Sequence, residues 1–86
     1  MARYSLEIKP SAVREIEAIP QKSVRQRIVD RIHALAEDPR PPGCEKLTGQ
    51  DRYRVRQGQH RIVYSIQDQL LVVNVVRVAH RSRVYR

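Results

Sequence analysis

The chain has 86 residues, enough for one small domain with a modest core and too few for two. Seventeen lysines and arginines against nine acidic residues give a net charge of +8, which favours a nucleic-acid partner over an indifferent basic surface. No apolar run approaches the roughly 20 residues that span a bilayer, MARYSLEIK lacks the apolar core of a signal peptide, and Cys44 has no internal disulfide partner, which fits a reducing cytoplasm.

Tyr4, Leu6 and Ile8 alternate with Arg3, Ser5 and Glu7, the period of a strand. Lys9-Pro10-Ser11 breaks it, and Pro10 or Ser11 can open a short helix because proline is tolerated in a first turn. Ala12, Val13, Ile16 and Ile19 form its apolar stripe, and Pro20 ends it. Gln21 to Glu37 is the longest periodic segment. Val24, Ile28, Ile32 and Leu35 are spaced 4, 4 and 3, one face of an amphipathic helix. Arg25, Arg27, Asp30, Arg31 and Glu37 fall largely elsewhere on the wheel and read as a solvated face. Three prolines in Asp38-Pro39-Arg40-Pro41-Pro42-Gly43 stop the helix and turn the chain back. Cys44 to Gln50 is a further connection, anchored by Leu47.

Arg52 to Arg56 alternates arginine with Tyr53 and Val55, so it reads as a strand with two unlike faces. Gln57-Gly58-Gln59 supplies a tight turn and His60 to Ile66 the return strand. The hairpin has one apolar face and one guanidinium face. Asp68-Gln69 makes the next turn. Leu70 to Ala79 is nearly all β-branched and apolar, a strand near the centre of a sheet. Asn74 and Arg77 interrupt it. The order β-α-α-β-β-β predicts a single α+β domain over residues 1–86, with a helical hairpin on one face of a twisted, mostly antiparallel four-stranded sheet.

The charge is concentrated. Residues 1–51 carry nine bases and eight acids, whereas residues 52–86 carry eight arginines, no lysine and one acid, Asp68. Arginine in place of lysine points to forked contacts with phosphate. A glycine-rich phosphate loop is absent, and His33, His60, His80 and Cys44 lack metal-ligand spacing, so neither a metal nor a cofactor is expected. The remaining constellation suits phosphodiester chemistry. Arg54, Arg56, Arg61 and Arg81 converge if the last three strands are neighbours, with His60, His80, Tyr53 and Tyr85 beside them. RNA carries its own nucleophile, the 2′-OH, so a ribonuclease needs alignment, proton transfer and charge stabilisation. The other reading, with the tyrosines in the core and the arginines merely solvated, stays open on these residues alone.

KLTGQDRYRVRQGQHRIVYSI (Lys46 to Ile66), the apolar strand to Val78 and the terminal AHRSRVYR resemble the RelE/ParE superfamily of bacterial and archaeal toxins, and the resemblance covers essentially the whole chain. It implies a RelE-like toxin domain of a type II toxin-antitoxin system, an endoribonuclease that enters the ribosomal A site and cuts mRNA without metal. By position, Arg54 and Arg56 match the two basic residues of the second strand, Arg61 the phosphate-binding arginine and Arg81 the arginine after the last strand. Tyr85 matches the tyrosine that contacts the substrate base, and His80 stands where some relatives place a histidine near the reaction. Arg52, Arg77, Arg83 and His60 are expected RNA contacts. The best-known members carry lysine at the positions of Arg54 and Arg56, which shifts the expected proton transfer to His80 and Tyr85. The implied partners are a RelB-like antitoxin, mRNA and the ribosome. The expected state is a cytoplasmic heteromer with the antitoxin and a monomer without it, with no membrane association. Gyrase inhibition by a ParE-like toxin and a non-catalytic RNA-binding module are the alternatives.

Overall fold

A computed structural model describes residues 3–81. The first strand, β1 (Ser5–Ile8), runs into Lys9, whose extended backbone sets Pro10 at the start of helix α1 (Pro10–Glu17). Proline fits there because its missing N–H would have had no helical acceptor. Helix α2 (Lys22–Leu35) begins beyond Pro20. The Arg25 guanidinium donates to the carbonyls of Ile19 and Pro20, so the break between the helices is closed by a side chain. Ile28, Ile32 and Leu35 are fully buried and Val24 packs at the margin, as their spacing predicts.

Four more strands follow: β2 (Glu45–Lys46), β3 (Tyr53–Gln57), β4 (His60–Gln67) and β5 (Val72–His80). The sheet order is β1-β5-β4-β3-β2, with β1 parallel to β5 and every other pair antiparallel. The architecture is the expected α+β one, with a fifth strand added. Glu45 and Lys46 pair with Arg54 and Tyr53 where a plain connection was expected. Two residues are too short to show a period. The Leu47 N–H, donating to the Arg52 carbonyl at 2.8 Å, draws this segment alongside β3.

The β3–β4 hairpin closes through Gly58-Gln59, with positive φ at Gly58 only, the type II′ pattern that puts glycine first. Between β4 and β5 the chain makes a 3-10 turn over Asp68–Leu70, then takes Leu71 through a left-handed conformation at φ 54°. For leucine this costs roughly 1–2 kcal/mol. The reversal therefore consumes the two leucines expected to open the last strand, and Leu70 is left 68% exposed.

The core lies between the helices and one sheet face. Val55, Ile62, Tyr64, Val73 and Val75 meet Ile28, Ile32 and Leu35 there, all fully buried. The Tyr64 hydroxyl donates to the Pro39 carbonyl at 2.7 Å, tying the proline loop to the core, and burial pushes its phenol well up. Outside, Arg40 bonds both oxygens of Asp68 at 3.2 and 2.9 Å and lies 5.3 Å from the Tyr53 ring centre. Tyr4 donates to the same carboxylate at 2.7 Å. Arg40 and then Tyr4 hold Asp68 down at about 2. This cluster ties the loop to the strand end on a face remote from the arginines described next.

Candidate functional site

Alternation along β3 sends Tyr53 and Val55 toward the helices and Arg54 and Arg56 to the opposite face. The hairpin register sets Arg56 directly across from Arg61 and Arg54 across from Val63. On β5 the partner of Arg61 is Ala79 and that of Val63 is Arg77.

That last pairing depends on an irregularity. Tyr64 pairs with Val75 but Val63 pairs with Arg77, so Val76 is an extra residue in β5. A bulge of this kind re-aims everything beyond it. Strict alternation from Val73 and Val75 would carry Arg77 toward the core and His80 away from it. With the bulge, Val78 returns to the core opposite Ile62, and Arg77 joins Arg54 on the helix-free face. Ala79 follows on that face, and Arg81 comes just past the strand end. The Arg81 N–H donates to the Gln59 carbonyl at 2.7 Å, and the Arg61 guanidinium donates to the Arg81 carbonyl at 3.2 Å. Four arginines, at 54, 56, 61 and 77, thus share one side of the sheet, and the Arg81 backbone sits beside Arg61 just past the strand end.

Val63 and Ala79 lie between them, 4% and 3% exposed, with no helix above them. Like charges across a strand pair are destabilising, and two carboxylates offset part of this. Glu45 on β2 ion-pairs with Arg54, and that hydrogen bond, followed by the charges of Arg54 and Arg56, holds its carboxyl below the usual range. Glu15 on α1 accepts the Val78 N–H at 2.8 Å with one oxygen and sits 3.4 Å from the Arg77 Nε with the other. The buried Arg61 Nε has no hydrogen-bond partner among the described residues. Burying such a donor is costly until an acceptor meets it, and the Arg31 Nε on α2 is in the same position.

The histidines go elsewhere. His60 and His80 pair across β4 and β5 on the helix-facing side, their ring centres 5.3 Å apart and nearly perpendicular. They border a cleft of about 420 Å³ under the α1–α2 connection, with Ile19, Pro20 and Val78. Burial first, then the charge of His80, pushes the His60 imidazole down. Neither shares a face with the arginines, although His80 is exposed at the end of its strand. Arg52 is exposed just before β3, while Arg83 and Tyr85 lie outside the described residues. Sequence reasoning passed over Glu45 and Glu15. Glu45 left a signal in its position just before the arginine strand; Glu15 left none that separates it from a solvated helix face.

The chain matches the ParE toxin family, toxins of the parDE type II toxin-antitoxin system, over residues 6–85. It is 25% identical over 83 residues to a putative RelE-like toxin protein of Escherichia coli, covering 94% of this chain and 86% of the relative. Among solved structures it resembles the archaeal RelE–RelB complex from Pyrococcus horikoshii OT3, with a TM-score of 0.82, 27% identity and 98% and 100% of the two chains covered. The intact E. coli RelBE toxin-antitoxin complex gives 0.77 at 27% identity over 96% and 99% of the chains. The RelBE2 complex of Mycobacterium tuberculosis shares the fold, with a TM-score of 0.84 at 23% identity over 96% and 97%.

Proposed function

Because this chain belongs to the ParE toxin family of type II toxin-antitoxin systems, within the RelE/ParE superfamily, we propose that it is a toxin of the RelE kind, which binds mRNA in the ribosomal A site and cleaves it. The observation that carries this reading is the helix-free face with Arg54, Arg56, Arg61 and Arg77, next to which the chain brings Arg81. The Arg61 Nε, buried and without a partner among the described residues, is a donor on this face that a phosphate oxygen would meet. Forked arginines match phosphate oxygens and stabilise the charge that builds on a phosphorane.

The chemistry follows from the groups on that face. The 2′-OH loses its proton and attacks the neighbouring phosphorus, the P–O5′ bond breaks, and the 5′ oxygen takes a proton. The products are a 2′,3′-cyclic phosphate and a free 5′-OH. Arginines hold their protons too tightly to exchange them. Glu45, ionised and beside Arg54 and Arg56, is the acceptor for the 2′-OH proton. Its ion pair with Arg54 weakens it as a base at rest. A phosphate that takes over Arg54 releases the carboxylate and restores its basicity, so substrate binding itself arms the base. Glu15 is less suited, because its carboxylate is engaged by Val78 and Arg77. His80, at the exposed strand end, and Tyr85 are the candidates for the proton on the leaving oxygen.

The P. horikoshii and E. coli neighbours were solved with RelB antitoxins. A RelB-like antitoxin is accordingly the partner proposed here, with acidic side chains set against the arginines, and the cytoplasm is where both would act. The match to the ParE family favours a second reading, inhibition of DNA gyrase. One pair of assays separates them. Purified toxin is added to mRNA-programmed ribosomes, with cut sites mapped by primer extension, and in parallel to a gyrase supercoiling reaction. A-site cleavage leaving a cyclic phosphate supports the ribonuclease. Loss of supercoiling with intact mRNA supports the gyrase reading, and inactivity in both rejects the two together.

A further inference from the structure

Asn74 is the polar residue that interrupts the apolar run of β5, and the arginine cluster does not account for it. Its register partners are Ser65 on β4 and Glu7 on β1. Leu6, Ile8, Val73 and Val75 all pack on the core, so Asn74, Ser65 and Glu7 point to the helix-free face. They form the next row of that face after Arg54, Val63 and Arg77, one same-side step of about 6.8 Å along β4. A trough of about 450 Å³ opens along this row, lined by Glu7, Lys9, Pro10, Ser65, Asn74 and Val76. It continues the surface on which the arginines lie.

The chemistry of the row differs from that of its neighbour. It holds no guanidinium, and the Glu7 carboxylate and the Lys9 ammonium that border the trough offset each other, so it carries no net attraction for phosphate. Asn74 is half-buried and gives one amide N–H to the Gln67 Oε1 at 3.2 Å, which fixes the plane of the amide. Its carbonyl oxygen and second N–H remain, an acceptor and a donor side by side. That pair matches the edge of a nucleobase, and an asparagine amide is best matched by adenine, whose exocyclic amine donates to the oxygen while N7 accepts the N–H. The second amine hydrogen then meets a carboxylate acceptor, which Glu7 supplies. Single-stranded RNA leaves this base edge open to a protein.

We propose that Asn74, with Ser65 and Glu7 beside it, is a nucleobase subsite that selects adenine next to the phosphates held by the arginine row. The inference rests on the reading of the arginine face as an RNA-backbone site, and it adds the base that the site prefers.

The test uses fluorescence anisotropy with the full chain and two labelled RNA hexamers, oligouridine and the same sequence with one central adenine. Wild-type protein is expected to bind the adenine hexamer more tightly, by roughly 5- to 100-fold for one bidentate contact. Asn74→Val keeps a strand-forming residue and is expected to bind both hexamers alike, with the salt dependence of binding unchanged because no phosphate contact is lost. Asn74→Gln, which retains the amide but displaces it, serves as a second variant and is also expected to lose the preference. Equal affinity of the wild type for the two hexamers overturns the subsite, as does a preference that survives both substitutions. In either case binding itself still supports the arginine face. Failure of the wild type to bind either hexamer removes the backbone reading and the subsite with it.

Discussion

Arg56→Ala is the substitution that most directly probes what the arginine face is for. Arg56 is exposed near the hairpin end of the face, opposite Arg61 and on a strand that the bulge does not touch. Its loss leaves the core untouched, so stability should change by no more than about 0.5 kcal/mol. Each phosphate neutralised on a single strand contributes about 0.7 to the slope of log K against log salt. Removing one contact should therefore flatten the slope by about 0.7. Across a tenfold range of salt that corresponds to a factor of about five, so the variant binds about fivefold more weakly at 0.1 M and nearly as well as wild type toward 1 M. The control is Arg27→Ala, which removes the same charge from an exposed position on α2, on the helix side of the hairpin turn. The assay is anisotropy of labelled single-stranded RNA from 0.05 to 1 M salt. An affinity loss in Arg56→Ala that is independent of salt would show that Arg56 meets no phosphate, and an equal change of slope in Arg27→Ala would show that net charge rather than this face sets binding.

Three further outcomes are expected. Glu45→Gln should bind RNA more tightly, since Arg54 loses its internal competitor, yet cleave about 10²-fold more slowly or worse, the scale of a lost general base; single-turnover cleavage at saturating ribosomes, unchanged from wild type, would exclude Glu45 as the base. Ile28→Ala should cost about 2–5 kcal/mol in urea unfolding, because Ile28 is fully buried between α2 and the sheet, and a smaller loss would mean that the core collapses around the gap. Asp68 is held at about 2 in the fold against an ordinary 3.8, so the folded state binds the proton less readily than the unfolded chain; its contribution is complete above about pH 4 and fades toward pH 2, and Asp68→Asn should be less stable than wild type at pH 6 but equal to it near pH 2, whereas a gap that persists at pH 2 would place the effect outside the Arg40 ion pair.

The fold was legible because its periods are clean. Ile28, Ile32 and Leu35 announce a helix face, and Arg54, Val55 and Arg56 announce a two-faced strand, and each side chain packs where its period sends it. The short strand at Glu45–Lys46 was illegible for the opposite reason, since two residues carry no period and their pairing is fixed by a tertiary hydrogen bond from Leu47. Glu45 was obscured with it. A lone glutamate in a connection looks like any solvated acid until the register lays it across from Arg54.

The last strand shows how one residue decides the make-up of a site. Read with strict alternation, Val73, Val75, Arg77 and Ala79 share one face, while Asn74, Val76, Val78 and His80 share the other. On that reading an arginine enters the core, and His80 lies on the face away from the helices. The energetic choice is clear, because an arginine side chain is almost never fully buried unless paired, whereas a valine gains about 1.5–3 kcal/mol from full burial. Absorbing Val76 in a bulge lets Val78 take the core position and turns Arg77 outward. The same shift moves His80 to the helix side and aligns Arg81 with Arg61. The pressure to bury valine in place of arginine therefore completes the arginine face, across which Glu45 on β2 is the carboxylate paired with Arg54.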